Sequence, residues 1–178
     1  MELKKDEQKK ENKPARSNGK FKRDGEKSEF EQKVIELARV TRVMAGGKRM
    51  KFRACIVIGD RKGRVGFGIA KGLDVSAAIN KAVNKAKKDL IEVKNVNDTI
   101  PFEIREKFKA AKILLKPAPK GTGVKAGGAL RIILELSGIK NVSGKMLGAN
   151  SKINNVQATI NALKNIYSYH RITEGNKE

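Results

Sequence analysis

The sequence predicts an α+β protein of two small domains, the first βββα and the second ββαβα, each a sheet with helices on one side. Three observations carry this reading. Apolar residues alternate with polar or basic ones along 34–58 and 64–72, the period of a half-buried strand. They recur at three- and four-residue spacing along 75–90 and 153–167, the period of an amphipathic helix. A polar stretch, "NVNDT" at 95–99, divides the two series, and a chain of 178 residues has room for one domain or two small ones.

Residues 1–28 are polar, of mixed charge, and nearly free of large apolar side chains. Such a segment buries too little surface to offset its ordering entropy, so it reads as a disordered basic arm. A solvated tail is the simpler role for it, and an arm that orders on RNA is the alternative. From Val34, "VIELARVTRVMAGGKRMKFRACIVIGD" reads as a strand, a Gly46–Gly47 turn and a second strand, in which Phe52, Ala54, Ile56 and Ile58 oppose Arg53, Cys55 and Val57. "GDRKG" (59–63) is a hairpin turn and "RVGFGIAKG" a third strand. Its interior glycines, Gly66 and Gly68, imply that another backbone or a helix packs against it. Asp74 is placed to cap a helix of about five turns with Val75, Ala78, Ile79, Ala82, Val83, Ala86 and Leu90 as its stripe; Lys81, Lys85 and Lys88 share another face. The first domain is thus 29–96.

In the second domain, 100–168, "IPFEIREKFKAAKILLKPAP" gives two strands closed by Pro117 and Pro119. "GGALRIILELSG" is a short helix stopped at Gly138, and "IKNVSGKMLG" a strand with a glycine break. The last helix runs from about Ser151 to Tyr167 on a stripe of Ile153, Val156, Ile160, Leu163 and Tyr167, leaving 169–178 as a tail.

Composition narrows the function. The chain carries 40 Lys+Arg against 19 Asp+Glu, a formal net charge of +21. Such an excess points to a polyanionic partner, because each neutralised phosphate releases condensed counterions. A membrane surface would ask for bulky aromatics on one helix face; aromatics are 4% and tryptophan is absent. No apolar run has the length of a bilayer span, and "MELKKDEQKKENK" lacks a signal-peptide core, so a cytoplasmic location is expected. Catalytic chemistry is poorly supplied. The single cysteine, Cys55, reads as a buried strand residue; it has no C-x-x-C partner for zinc, and the single histidine, His170, reads as a surface residue. Neither a metal nor a cofactor is expected.

Two basic regions stand out. "APKGTGVKAGGALR" (118–131) packs four glycines and two lysines before an apolar run, and 121–126 fit a loose dinucleotide fingerprint. It fails as a nucleotide cradle: no Gly-Lys-[Ser/Thr] follows, two prolines separate it from its strand, and no acidic residue stands about twenty positions on to hold a ribose. What remains is a flexible basic loop entering a helix N-terminus, whose free N–H groups suit a phosphate or a partner's carboxylate, with Lys120 and Lys125 beside it. Glycines that merely turn strand into helix are the competing reading.

The second region is "ARVTRVMAGGKRMKFR". It sets Arg39, Arg42, Lys48, Arg49, Lys51 and Arg53 around one hairpin, with Arg49, Lys51 and Arg53 on one face opposite Met50, Phe52 and Ala54. A merely solvated face would mix signs, yet no acid occurs between Glu36 and Asp60. Phosphate binding is therefore expected here, continued by Arg61, Lys62 and Arg64 in the next turn. Without a row of exposed aromatics to stack bases, the expected ligand is largely double-stranded RNA held by its backbone.

"GDRKGRVGFGIAKG" with "DVSAAINKAVNKAKKDLI", and "KPAPKGTGVKAGGALRIILELSGIKNV" after them, resemble the bacterial small-subunit ribosomal protein five family over roughly residues 30–168. The resemblance implies a double-stranded-RNA-binding-like first domain without its usual first helix, and a βαβ crossover, typically left-handed, in the second. It implies a structural constituent of the small subunit that binds rRNA and supports assembly and translational accuracy, and not an enzyme. A free-standing double-stranded-RNA-binding chaperone or regulator is the alternative. In this reading the hairpin, with Val40, Thr41, Arg42, Gly46, Gly47 and Lys48, reaches rRNA at the head–body junction. Gly121, Gly123 and Arg131 face ribosomal protein four. Ribosomal protein eight and the path along which mRNA enters lie near, with no residue assigned to either. No small-molecule substrate is implied.

Overall fold

The computed structural model describes residues 29–93 and 98–175, with side chains described to 166. The arm at 1–28, part of the 95–99 linker and the end of the tail lie outside the described residues; His170 falls where side chains are not described. The first sheet is built from β1 (Glu31–Met44), β2 (Gly47–Gly59), β3 (Arg64–Gly72) and β4 (Leu90–Glu92), antiparallel in that order, with α1 (Val75–Lys88) on one face. The second is built from β5 (Ile104–Phe108), β6 (Ala111–Pro117), β7 (Val124–Lys125) and β8 (Val142–Met146), in the order β5-β6-β8-β7, with α2 (Gly128–Leu136) and α3 (Lys152–Gly175). The α+β class and the two-domain plan are as the sequence predicts.

Four details differ from the expectation. The helix after Asp74 stops at Lys88, and its last apolar residues, Leu90 and Ile91, instead form β4 against Gly66 and Val65. Asp74 occupies the N-cap position without a side-chain cap. The glycine-rich loop contributes the short strand β7, parallel to β8, so that β7–α2–β8 is the implied βαβ crossover. The last helix continues past Tyr167 to Gly175, through what the sequence reads as tail.

The interior glycines of β3 act as foreseen. A Cβ at Gly66 would lie 2.7 Å from the Ala86 carbonyl, and one at Gly72 would lie 2.6 Å from the Ala78 amide. A Cβ at Gly68 would run into the Ala82 carbonyl. With Ala78, Ala82 and Ala86 as its buried stripe, α1 therefore lies backbone-close on β3 and is held as a rigid unit.

Strand alternation splits β2 between two cores. Ala54, Ile56 and Ile58 pack with α1, whereas Cys55 and Val57 join a larger core with Leu134, Leu136 and Ile139 of the second domain. The β2–β3 turn docks on the end of α2, the Arg61 amide donating to the Leu136 carbonyl at 3.0 Å and Lys33 pairing with Glu135 at 3.2 Å. Only the inner half of that sheet face is covered. The outer half, toward the β1–β2 hairpin, is open.

Candidate nucleic-acid interface

The hairpin extends beyond both cores. Residues 41–51 are all exposed, and Met44 pairs with Gly47 across a two-residue turn, Ala45–Gly46, one position earlier than the glycine pair suggests. Gly47 itself has φ +146°, a backbone state that glycine takes without the cost of a side chain. Register places Arg42 directly opposite Arg49, Val40 opposite Lys51, and Val43 opposite Lys48. Like charges facing each other across a ladder cost roughly 0.2–1 kcal/mol, a cost that a polyanion between them reverses.

Parity sorts the predicted cations. Arg42, Arg49, Lys51 and Arg53 lie on the face that farther in carries Cys55 and Val57; Arg39, Thr41 and Lys48 lie on the other. A cleft of about 280 Å³ is lined mainly from the first face, by Val40, Arg42, Met44, Arg49, Lys51 and Lys71, and also by Thr41. Lys71, at the end of β3 opposite Arg53, is a cation the sequence reading did not single out. Val43, Met44 and Met50 are exposed apolar side chains at the same tip, and the Arg39 guanidinium lies against the Met50 sulfur. No carboxylate among the described residues pairs with Arg42, Lys48, Arg49, Lys51 or Lys71.

Three of the other predicted cations, Arg53, Arg61 and Arg64, are engaged within the protein. Arg53 is half-buried and bonded to Glu36 at 3.1 Å. Arg61 is held by Glu31 at 2.7 Å. Arg64 bridges Glu29 and Asp60, each at 2.7 Å, under the Phe30 ring. Those carboxylates raise the Arg64 guanidinium pKa, Glu29 first. Burial alone would raise Asp60, but the Arg64 side chain and the amides of Lys62 and Arg64 outweigh it and hold the carboxyl below the usual range. The turn carrying Arg61, Lys62 and Arg64 lies at the far end of β2, roughly 40 Å from the hairpin tip at strand rise. At that separation it is a patch distinct from the hairpin, in which Arg61 and Arg64 are ion-paired within the protein and Lys62 alone of the three is without an ion pair among the described residues.

The glycine-rich loop is wired rather than flexible. The Gly121 and Gly123 amides donate to the Asn141 side-chain oxygen at 3.0 and 3.2 Å, and the Thr122 amide donates to the Pro119 carbonyl at 3.2 Å. Asn141 is buried and is itself fixed, its amide donating to the Asp98 carbonyl and its carbonyl accepting from Thr99. Gly121 and Gly123 take φ of +89° and +73° in open space, so the turn demands them for conformation and not for close packing. Three consecutive amides that a phosphate would need are therefore spent inward, and the loop offers no nucleotide cradle. Lys120 and Lys125 remain exposed beside it, and Arg131 is exposed while bonded to Glu135 at 2.7 Å. Asn141 lies outside the motif it organises, which is why inspection of the motif misses it.

Cys55 is buried as foreseen. Burial first, and the charge of Glu36 second, push its thiol up to about 11, so it is no nucleophile. Among the described residues no cluster of potential metal ligands occurs, and no helix is long and apolar enough to cross a membrane.

A two-domain α+β chain whose exposed hairpin carries Arg42, Lys48, Arg49 and Lys51 without a carboxylate partner among the described residues is suited to a polyanion. The family comparisons make that specific. Residues 30–94 match the ribosomal protein S5 N-terminal domain and residues 106–176 the ribosomal protein S5 C-terminal domain. The chain belongs to the ribosomal protein S5 family, a structural and non-enzymatic family, and has the corresponding rRNA-binding role in the small ribosomal subunit.

Proposed function

We propose that the chain supports small-subunit assembly and translational accuracy by fixing rRNA through the β1–β2 hairpin while its second domain docks a neighbouring protein. The observation that carries this is the facing pair Arg42 and Arg49 on an exposed ribbon with no acid beside it. Such a pair destabilises the free protein and becomes favourable only on a polyanion. In this reading Arg39, Thr41, Arg42, Lys48, Arg49, Lys51 and Lys71 meet RNA backbone, Gly46 and Gly47 make the turn thin enough to enter a groove, and Lys62, Lys120 and Lys125 add outlying phosphate contacts. The fixed loop with Gly121, Gly123 and Arg131 meets ribosomal protein four. Ribosomal protein eight and the incoming mRNA lie nearby, in the cytoplasm. The working units are 29–96 and 100–168.

Sedimentation of a tagged chain from lysate, measured against small subunits at low and high salt, tests this. One copy per subunit, retained through a high-salt wash, is expected. Substoichiometric and salt-labile binding would instead indicate a free-standing double-stranded-RNA-binding module.

A further inference from the structure

Helix α1 presents a second basic surface that the hairpin reading does not use. It holds four lysines and no acid, and Lys81, Lys85 and Lys88, at i, i+4 and i+7, share one exposed flank. Each like-charge neighbour at this spacing destabilises a helix by roughly 0.2–0.5 kcal/mol. Lysines in the last turn complement the helix dipole, which accounts for Lys85, Lys87 and Lys88 but not for Lys81, in the middle of the helix. None of the three flank lysines pairs with a carboxylate among the described residues. Asn80 and Asn84, also exposed, add neutral hydrogen-bonding groups beside them.

The position of this flank decides what it can do. Helix α1 lies on the sheet face defined by Ala54, Ile56 and Ile58, whereas the cleft with Arg42, Arg49, Lys51 and Lys71 opens on the opposite face. One phosphate strand cannot lie in the cleft and on α1 together without passing around the sheet. We infer that α1 is a second RNA-backbone contact, so that the first domain holds two RNA segments at once, one on each side of its sheet. The glycine contacts of β3 fix α1 directly on the strand, and the spacing between the two segments is therefore set by the thickness of a single sheet and helix. This rests on the reading of the hairpin as an rRNA contact.

The test uses the full chain with donor- and acceptor-labelled short RNA duplexes, reading energy transfer between them and the salt dependence of binding. The variants are Lys81→Gln/Lys85→Gln/Lys88→Gln, the same three positions changed to Arg, and Arg42→Ala/Lys48→Ala; circular dichroism checks that helix content is kept. The wild type should bring the two duplexes together. The glutamine variant should lose about tenfold in that transfer and reduce the slope of log K on log salt by about 2, roughly 0.7–0.9 per lost phosphate contact. It should still bind a single duplex, and the arginine variant should behave as wild type. Unchanged transfer and slope in the glutamine variant would overturn the inference and leave α1 a solvated face or a seat for an acidic protein. A wild type that binds one duplex only would overturn it while sparing the hairpin, and one that binds neither would overturn both.

Discussion

At one end of the first sheet Arg42, Lys48, Arg49 and Lys51 stand exposed with no carboxylate partner among the described residues. At the other end Arg61 and Arg64 are held by Glu31, Glu29 and Asp60. The two clusters look alike in sequence, and their difference lies in what strand pairing brings to them. Register sets Glu31 against Gly59, so the start of β1 delivers acids to the β2–β3 turn; the end of β1 delivers only Arg39 and Arg42 to the hairpin. A basic residue is informative about a polyanion only after its acids have been placed.

The largest expected effect falls at the paired end. The Asp60 side chain is 4% exposed and accepts from the Lys62 amide at 2.8 Å, the Arg64 amide at 3.0 Å and the Arg64 side chain at 2.7 Å. Asp60→Ala removes all three and should cost about 2–3 kcal/mol, lowering Tm by roughly 4–10 °C. The salt slope of RNA binding should stay as it was, and a fall in that slope would mean the turn belongs to the RNA surface after all. The mirror experiment, Arg42→Ala with Lys48→Ala, should leave Tm unchanged or raise it by up to about 3 °C and reduce the slope by about 2. Thermal melts and salt-titrated RNA binding on the same preparations check both.

Acid separates the two ends a second time. The folded pKa of Asp60 lies below its unfolded value of about 3.9, so its ionised form stabilises the fold above that pH. The contribution drains away as pH falls through the folded pKa. The gap in Tm between wild type and Asp60→Asn should be widest at about pH 6 to 7 and close below about pH 3.9. The hairpin double variant should show no such convergence, since no acid titrates beside it. Glu135, held down by the Arg131 side chain against its own burial and helped by Lys33, follows the Asp60 pattern more weakly because its side chain is partly exposed.

Most of the fold was legible because its signals are local. The β2 alternation, the alanine stripe of α1 and the glycines of β3 each report one element and the neighbour it requires, and all three are met. What was not legible depends on pairing at long range. Leu90 sits at helical spacing yet, with Ile91, completes a sheet edge because β3 offers them Gly66 and Val65. Asn141 satisfies amides 18 and 20 residues before it, and nothing in "GTGVKAG" names it. For the candidate site, the hairpin cations were readable from the absence of acids between Glu36 and Asp60, whereas Lys71 enters only through its register with Arg53. The ion pairs of Arg61 and Arg64 were not legible for the complementary reason, since Arg61's partner lies 30 residues away and one of Arg64's lies 35.

The smallest expected effect is also the sharpest test of the comparison. If Arg42 and Arg49 repel across the ladder, Arg42→Gln should stabilise the free protein by about 0.2–1 kcal/mol, a rise in Tm of about 1–3 °C, and Arg49→Gln should do the same. Each single variant already removes the repulsion, so the double variant should gain less than the sum of the two; the shortfall is the coupling energy. Near 1 M salt, where the Debye length is about 3 Å, that coupling should fall toward zero. Stabilisation that adds fully and ignores salt would trace to side-chain packing instead, and the hairpin would lose its claim to be a surface strained for want of a polyanion. Stabilisation that is non-additive and screened would mean the protein carries, in its free state, a small electrostatic penalty that a bound polyanion would relieve.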